Sequence, residues 1–286
     1  MLSIRTRDRH ARRRRWALLA AVGLAALALA PQVEAQLRRG LRSFASTRIA
    51  REDDFDGRFH FCRIAFRNGL GGDIESGSWE VDFPRADINL SIRLSELTKT
   101  TVSMDEDRQP NNLLLQLTSP EIFNCPFIMM TEVGAADLSD QEIANLRQYL
   151  LKGGFLWADD FWGTDAWEWW ASVMHAVLPP DQYPIIELTP DHPMFRAQFV
   201  VRETPQIANI LHWSRYGDGM ERGNDSPRAD PRAVLDSHGR IMVLMTHNTD
   251  FGDSFEREGD DPTYFLKNSV PGYAFGINAL LYAMTH

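Results

Sequence analysis

Cysteine is nearly absent from this sequence, which has two in 286 residues. So few thiols exclude a disulfide-rich scaffold and an all-thiolate zinc site. Basic residues are also the minority, with 30 Lys and Arg against 39 Asp and Glu, for a formal charge of −9. A nucleic-acid partner is therefore not expected, because phosphate binding favours a basic surface.

The chain also lacks several motifs that mark catalytic or cofactor sites. It contains no H-x-x-x-H pair, no G-x-S-x-G elbow and no phosphate-binding G-x-x-x-x-G-K loop. We therefore predict no resident cofactor and no bound metal from the sequence.

The N-terminus has the pattern of an export signal. Residues 1–15 contain seven arginines, residues 16–30 carry no charge, and small side chains at Val33 and Ala35 precede Gln36. This order is typical of a secretory signal peptide. The apolar run is shorter than the roughly 20 residues of a spanning helix, so an uncleaved anchor is the alternative. We expect an exported, periplasmic chain, or one anchored facing the periplasm, with membrane contact only through this segment.

Three regions follow from this pattern. Residues 1–35 form the signal peptide, residues 36–58 a charged linker, and residues 59–286 a single domain. Removal of the signal peptide takes away seven basic and two acidic residues, so the remaining chain is more acidic than the whole. Such a chain repels anionic membrane surfaces as well as nucleic acid.

Strand and helix patterns alternate along the domain. Residues 126–130 form an apolar run, Ser139 and Glu142 form a capping box before a helical pattern, and residues 155–158 form a second apolar run. A strand, a helix and a strand in this order predict a parallel βαβ unit. Residues 59–66, 185–188 and 241–245 also indicate strands, and residues 88–97 and 274–284 indicate helices.

Polar loops follow several of these strands. Ligands of open parallel sheets bind beyond the carboxyl ends of the strands, where acids and imidazoles act in proton transfer or hold a divalent metal. The structural interpretation, which we favour, is that the Asp residues cap helices and accept hydrogen bonds from loop amides. The catalytic candidates are Asp159, Asp160, His192, His247 and Asp250.

Five tryptophans lie within residues 157–170. Indole rings stack on sugar faces when exposed, but they more often bury their apolar area in a core. The i,i+3 spacing of Trp167 and Trp170 places these two on one helix face. The ligand-binding candidates are Trp162, Trp167, Glu132 and Asp253.

Cys62 and Cys125 lie near two predicted strands, and export would place them in an oxidising compartment. They form either a bridge between strands or two separate buried thiols, and the sequence does not decide between these. Neither lies in a strand-to-helix elbow, so neither has the position of a nucleophile.

Several blocks of sequence occur in a recognisable order. They are residues 126–134, 138–160, 191–195, 239–256 and 276–284. Together they resemble a bacterial family known as domain of unknown function 4159, over about residue 59 to the C-terminus. That family is similar to ThuA-like and class I glutamine amidotransferase-like folds. The resemblance implies a Rossmann-like three-layer αβα sandwich with a mostly parallel sheet, in agreement with the βαβ pattern, and implies no activity.

One departure from that fold group concerns chemistry. Glutamine amidotransferases carry a cysteine nucleophile in the turn after the strand that residues 155–158 match, where this chain has Asp159 and Asp160. Amide hydrolysis through a thiolate is therefore not expected. Our leading hypothesis is a module that binds a small, carbohydrate-like ligand or an envelope protein at the strand-end cleft. The alternative is a hydrolase or sugar-modifying enzyme, with or without metal assistance, that uses the acids and histidines at the ends of the strands.

Overall fold

The computed structural model describes residues 48–69 and 78–286. The predicted signal peptide and residues 36–47 of the predicted linker lie outside these ranges. Within the linker, Ile49 forms a parallel β-bridge with Leu114, and the amide of Ala50 donates to the carbonyl of Leu114 at 2.7 Å. The compact unit consequently begins at Ile49. In the described ranges, every helix is too short or too polar to cross a bilayer.

A seven-stranded, mostly parallel sheet forms the middle layer of the domain. Nine strands occur among the described residues: β1 Cys62–Ala65, β2 Arg67–Asn68, β3 Leu113–Gln116, β4 Phe127–Thr131, β5 Ala136–Asp137, β6 Phe155–Phe161, β7 Ile185–Glu187, β8 Asp230–Leu235 and β9 Ile241–His247. The order across the main sheet is β3-β1-β4-β6-β9-β8-β7, and β2 pairs with β5 in a small antiparallel ribbon. Strands β3, β1, β4, β6 and β9 are parallel, and β8 is antiparallel to β9 and β7.

Helices cover both faces of this sheet. The described α-helices are α1 Arg85–Leu97, α2 Asp140–Leu151, α3 Gly163–Val177, α4 Ile210–Tyr216, α5 Phe251–Glu256, α6 Pro262–Tyr264 and α7 Val270–Thr285, with a π-helical turn at Phe265–Ser269. Helices α2 and α3 bury apolar side chains in one core layer, and α1, α5 and α7 in the other. The predicted Rossmann-like three-layer α/β sandwich is confirmed.

The βαβ unit at the centre has the predicted local structure. Ser139 caps α2, its side chain accepts from the amide of Glu142, and Glu142 reaches back to the amide of Ser139 at 2.8 Å. Gly153, at a φ of 105°, follows the helix in the left-handed region that favours glycine. The helical and strand patterns here are local, which is why the sequence was sufficient to find them.

Strand β6 is longer than the sequence indicated. It continues to Phe161, so Asp159 and Asp160 lie inside the strand and not in the loop after it. The register with β9 shifts between Asp159 and Phe161, and Asp160 has a φ of 55°. A β-bulge of this kind re-aims one side chain relative to its neighbours.

The two cysteines form a disulfide. Cys62 begins β1 and Cys125 lies just before β4, the neighbouring parallel strand, with a Cα–Cα distance of 6.4 Å. Of the two arrangements that the sequence left open, the structure therefore has the bridge.

Candidate functional site

A cluster of carboxylates lies at the carboxyl ends of β6 and β9. Asp82, Asp160 and Asp250 each bring one oxygen to within 4.8 Å of the oxygens of the other two, and Asp82 forms a second such group with Asp253 and Glu256. The exposed fractions of Asp82, Asp160 and Asp250 are only 8%, 7% and 3%. We call these five residues the acid cluster.

Three separate segments position the acid cluster. Asp160 is the bulged residue of β6, and Asp82 precedes α1 with a φ of 63°. Asp250 is the N-cap of α5, where its side chain accepts from the amide of Asp253 at 2.7 Å. Aspartate tolerates the left-handed region better than most residues, so two of these positions suit this residue type.

Burial and mutual repulsion raise the pKa values of the four aspartates in the acid cluster. Burial is the main cause of the raised pKa of Asp160 and of Asp250, and the charges on neighbouring carboxylates raise both further. For Asp82, burial and the charge of Asp253 raise the pKa, while the positive charge of Arg63 lowers it. Burial likewise raises the pKa of Asp253 to about 6. These four aspartates therefore hold protons at a pH where an exposed aspartate is ionised.

Asp159 lies behind the acid cluster and has a structural environment. It is completely buried, and its Oδ2 accepts from the amides of Phe251 at 2.9 Å and Gly252 at 3.3 Å, while the hydroxyl of Thr246 donates to Oδ1. These bonds join the start of α5 to the middle strands. Burial raises the pKa of Asp159 to about 7, although the hydrogen bonds lower it.

The raised pKa of Asp159 predicts a dependence of stability on pH. Its folded value of about 7 lies above the ordinary 3.8, so between about pH 4 and 7 the folded chain binds this proton more tightly than the unfolded chain. The free energy of unfolding is then expected to fall as the pH rises through that window, by up to about 1.4 kcal/mol per pH unit for this proton. Urea unfolding at several pH values in a chelating buffer measures it.

Asp159→Asn provides the comparison for this pH series. An asparagine has no proton to release, so the variant is expected to have a shallower slope than the wild type between about pH 4 and 7. Identical slopes in the two proteins would show that Asp159 is ionised in the folded chain throughout the window.

The two predicted catalytic histidines do not join the acid cluster. The ring of His192 lies 5.3 Å from that of Tyr282, whose hydroxyl accepts from the amide of Ile241 at the first residue of β9. His247 is the last residue of β9, so His192 lies near the opposite end of that strand. The reason is that the chain turns back after β7 rather than continuing past the strand ends.

His247 lies at the expected edge but in the opposite core layer from Asp159. Its Nε2 lies 2.9 Å from the carbonyl of Gly163, its Nδ1 lies 3.8 Å from Asp230, and its ring lies 5.4 Å from that of Trp167. The structure therefore places Asp159, His192 and His247 in three separate environments.

A cleft lies beside the acid cluster, and we call it the tryptophan cleft. It has a volume of about 620 Å³ and is lined by Gly69, Gly134, Ala135, Trp162, Asp165, Ala166, Trp169, Arg222 and Asp225. The indole of Trp162 donates to Asp160 at 2.8 Å, and the indole of Trp169 donates to the carbonyl of Ala136 at 2.8 Å. A hydrogen bond from the indole nitrogen thus holds each ring in place. The bond of Trp162 connects the cleft to the acid cluster.

The other predicted ligand-binding residues lie in three different places. Glu132 immediately precedes the 3-10 turn Val133–Ala135 that forms one wall of the cleft, and burial, followed by the charge of Glu221, raises its pKa. Asp253 belongs to the acid cluster. Trp167 lies away from the cleft, where it packs on His247 and below the guanidinium of Arg232.

Sequence reasoning missed three residues of this region. Asp82 and Glu256 belong to the acid cluster, and Trp169, which is 46% exposed, lines the cleft where Trp167 was expected. The signal for Trp169 was present, since the shared face of Trp167 and Trp170 leaves Trp169 to point elsewhere. No comparable local signal marks Asp82, because its place depends on contacts with distant residues.

An open, mostly parallel sandwich with a cleft and acidic groups beyond its strand ends defines a Rossmann-like α/β domain. Within this class, the chain belongs to the family described as domain of unknown function (DUF4159), whose model matches residues 64–284. No curated protein matches the sequence. The family resemblance predicted from the sequence is confirmed.

Proposed function

We propose that this chain is an exported domain that binds a small, carbohydrate-like ligand in the tryptophan cleft and has no amidotransferase activity. The observation that carries the proposal is the cleft itself, with the rings of Trp162 and Trp169 and the polar side chains of Asp165, Arg222 and Asp225 at its lining. Its volume of about 620 Å³ lies in the range of small-molecule sites. This size favours a small ligand over a protein partner.

The geometry of the rings supports stacking on a sugar. Each indole nitrogen has a hydrogen-bond partner, so the rings are oriented before any ligand arrives. Preorganised aromatic rings lose little conformational entropy on binding. Polar groups beside an aromatic face are the combination that recognises the hydroxyls and the apolar face of a sugar.

The disulfide supports both export and the lack of thiolate chemistry. Disulfides persist in oxidising compartments and are rare in the cytosol. Cys62 and Cys125 are the only cysteines of the chain and they are bonded to each other, so no free thiol is available as a nucleophile. A relation to ThuA-like and amidotransferase-like folds would then be one of architecture and not of reaction.

Calorimetric titration of the full chain with cell-wall glycan fragments tests this proposal. We expect Trp169→Ala to weaken binding of a responding fragment by about twofold to tenfold, from the loss of about 0.5–1.5 kcal/mol of ring stacking. Phe123→Ala is the matched control. Phe123 is 40% exposed and lies beside Tyr149 and Lys152, near the opposite end of β4. Failure of every fragment to bind, or equal losses in both variants, would contradict the proposal.

A second function, hydrolysis of a glycosidic or ester bond, is favoured by one observation. Trp162 lines the cleft and donates to Asp160, so a ligand in the cleft lies next to carboxyl groups with raised pKa values. A carboxyl group with a raised pKa is suited to act as a proton donor. Turnover of a bound fragment that Asp160→Asn abolishes without loss of binding would support this function over binding alone.

A further inference from the structure

The acid cluster contains more negative charge than its surroundings balance. Among the residues that the structure describes, no Lys, Arg or His lies within ion-pair distance of Asp82, Asp160 or Asp250. The nearby Arg63 is already bound to Asp87 through two of its nitrogens. Buried carboxylates without a positive partner are costly, so such groups are protonated or bind a cation.

Arg257 does not supply the missing charge. Its Nε lies 3.4 Å from Asp253 and 2.8 Å from Glu256, and a second nitrogen lies 3.7 Å from Asp260. One guanidinium is thus shared among three acids on the outer side of the cluster. The inner group of Asp82, Asp160 and Asp250 has no share in it.

One oxygen of Asp82 has no hydrogen-bond partner. Asp82 is more than nine-tenths buried, and its Oδ2 makes no hydrogen bond to any described residue. It lies against the first turn of α5, where a Cβ on Gly252 would come within 2.1 Å of it. Only glycine at position 252 leaves room for Asp82 Oδ2. This oxygen lies against the helix turn that carries Asp250 and Asp253.

The size and chemistry of the group fit a hard cation. Ca²⁺ binds oxygens at about 2.3–2.6 Å, so ligands on opposite sides of the ion are about 5 Å apart, and Mg²⁺ needs a somewhat smaller shell. The three carboxylates lie within 4.8 Å of one another. An all-oxygen ligand set without cysteine or histidine favours Ca²⁺, Mg²⁺ or Mn²⁺ over softer metals.

We infer that Asp82, Asp160 and Asp250 bind a hard divalent cation beside the tryptophan cleft. The site is additional to ligand binding in the cleft and does not depend on it. Trp162 donates to Asp160, so the cation lies behind the ring that lines the cleft and balances the carboxylates next to the ligand. Asp253 and Glu256 lie next to this site, because they form the second group that shares Asp82.

Titration of the chelator-treated full chain with Ca²⁺, Mg²⁺ and Mn²⁺ in separate experiments tests the site. Calorimetry is expected to show at least one equivalent bound for one of these ions. Tb³⁺, a luminescent substitute for Ca²⁺, is expected to emit on excitation of tryptophan, because the indole of Trp162 lies 2.8 Å from a ligand side chain. The ion that binds in calorimetry is expected to displace Tb³⁺ and remove the emission.

Two ligand variants and one control assign the binding to these residues. Asp82→Asn and Asp250→Asn are each expected to weaken binding at least tenfold, and Asn still caps α5 in the second variant. The exposed Asp191→Asn is expected to bind as the wild type does. In the presence of chelator, Asp82→Asn is expected to unfold at the same or a higher temperature than the wild type, because one of several repelling charges has been removed.

Two results would overturn the inference. One is the absence of binding by all three ions in a chain whose circular dichroism shows it to be folded. The other is equal affinity in the wild type and both ligand variants, which would place the bound ion elsewhere.

Discussion

Replacement of Arg63 by methionine is expected to lower the free energy of unfolding by about 3–5 kcal/mol. Arg63 lies on β1 and is 1% exposed, and its partner Asp87 in the first turn of α1 is fully buried. The guanidinium Nε donates to both carboxylate oxygens of Asp87, at 3.2 and 3.0 Å. Methionine fills most of the space but leaves Asp87 charged and unpaired in an apolar core.

The double variant Arg63→Met with Asp87→Leu separates charge from packing. When both charges are removed, a buried ion pair is often replaced at little cost, so the double variant is expected to recover most of the lost stability. Urea unfolding of the wild type, the single variant and the double variant at pH 7 measures the coupling. A double variant as unstable as the single one would show that shape, not charge, determines the effect.

The same arginine connects the core to the acid cluster. Its Nη1 donates to the carbonyls of Trp79 at 3.3 Å and Val81 at 3.4 Å, in the segment directly before Asp82. One side chain thus fixes the start of α1 and the backbone that positions Asp82. Since Arg63→Met removes both contacts, we expect that variant to lose cation affinity as well as stability.

The parts of this fold that the sequence predicted are those with local causes. The capping box at Ser139 and the apolar spacing of α2 are contained within a dozen residues, and so is the apolar run of β4. These elements have the predicted type in the structure, and their order alone indicated a parallel sheet with covered faces. The family resemblance added the same architecture from whole blocks of sequence.

The site residues divide along the same line. Asp160 and Asp250 were found because they follow apolar runs, and the ends of parallel strands meet at one edge of a sheet. His192 also follows a strand, but the chain reverses after β7 and places it against Tyr282. The pattern of a strand does not contain the path of the loop beyond it, so the histidine could not be excluded from sequence.

Asp82 shows the opposite failure. It lies outside every predicted strand and reaches the acid cluster through the pairing of Arg63 with Asp87, 24 residues apart in sequence. The bulge that turns Asp160 likewise depends on the register between β6 and β9. Non-local contacts of this kind decide which carboxylates lie close together. The cation proposal rests on these contacts, which the sequence prediction of no bound metal could not include.

Removal of the disulfide is expected to have a large effect on stability, as is the replacement of Arg63. Replacement of both cysteines by alanine is expected to lower the free energy of unfolding by about 2–4 kcal/mol, because the bond closes a loop of about 60 residues and restricts the unfolded chain. Both side chains lie in the apolar core, so alanine introduces no buried polar group. Urea unfolding with and without a thiol reductant measures the contribution.

The reductant supplies the control, and the compartment of synthesis supplies the test of export. The oxidised wild type is expected to lose stability when reduced, and the double-alanine variant is expected to be insensitive to reductant. A wild type of equal stability in both conditions would contradict a structural role for the bond.

Because the disulfide joins β1 to β4, wild-type chain made in a reducing cytoplasm is expected to be as unstable as the variant. Equal yields of folded wild type from the periplasm and the cytoplasm would count against the proposal that this chain is exported to fold.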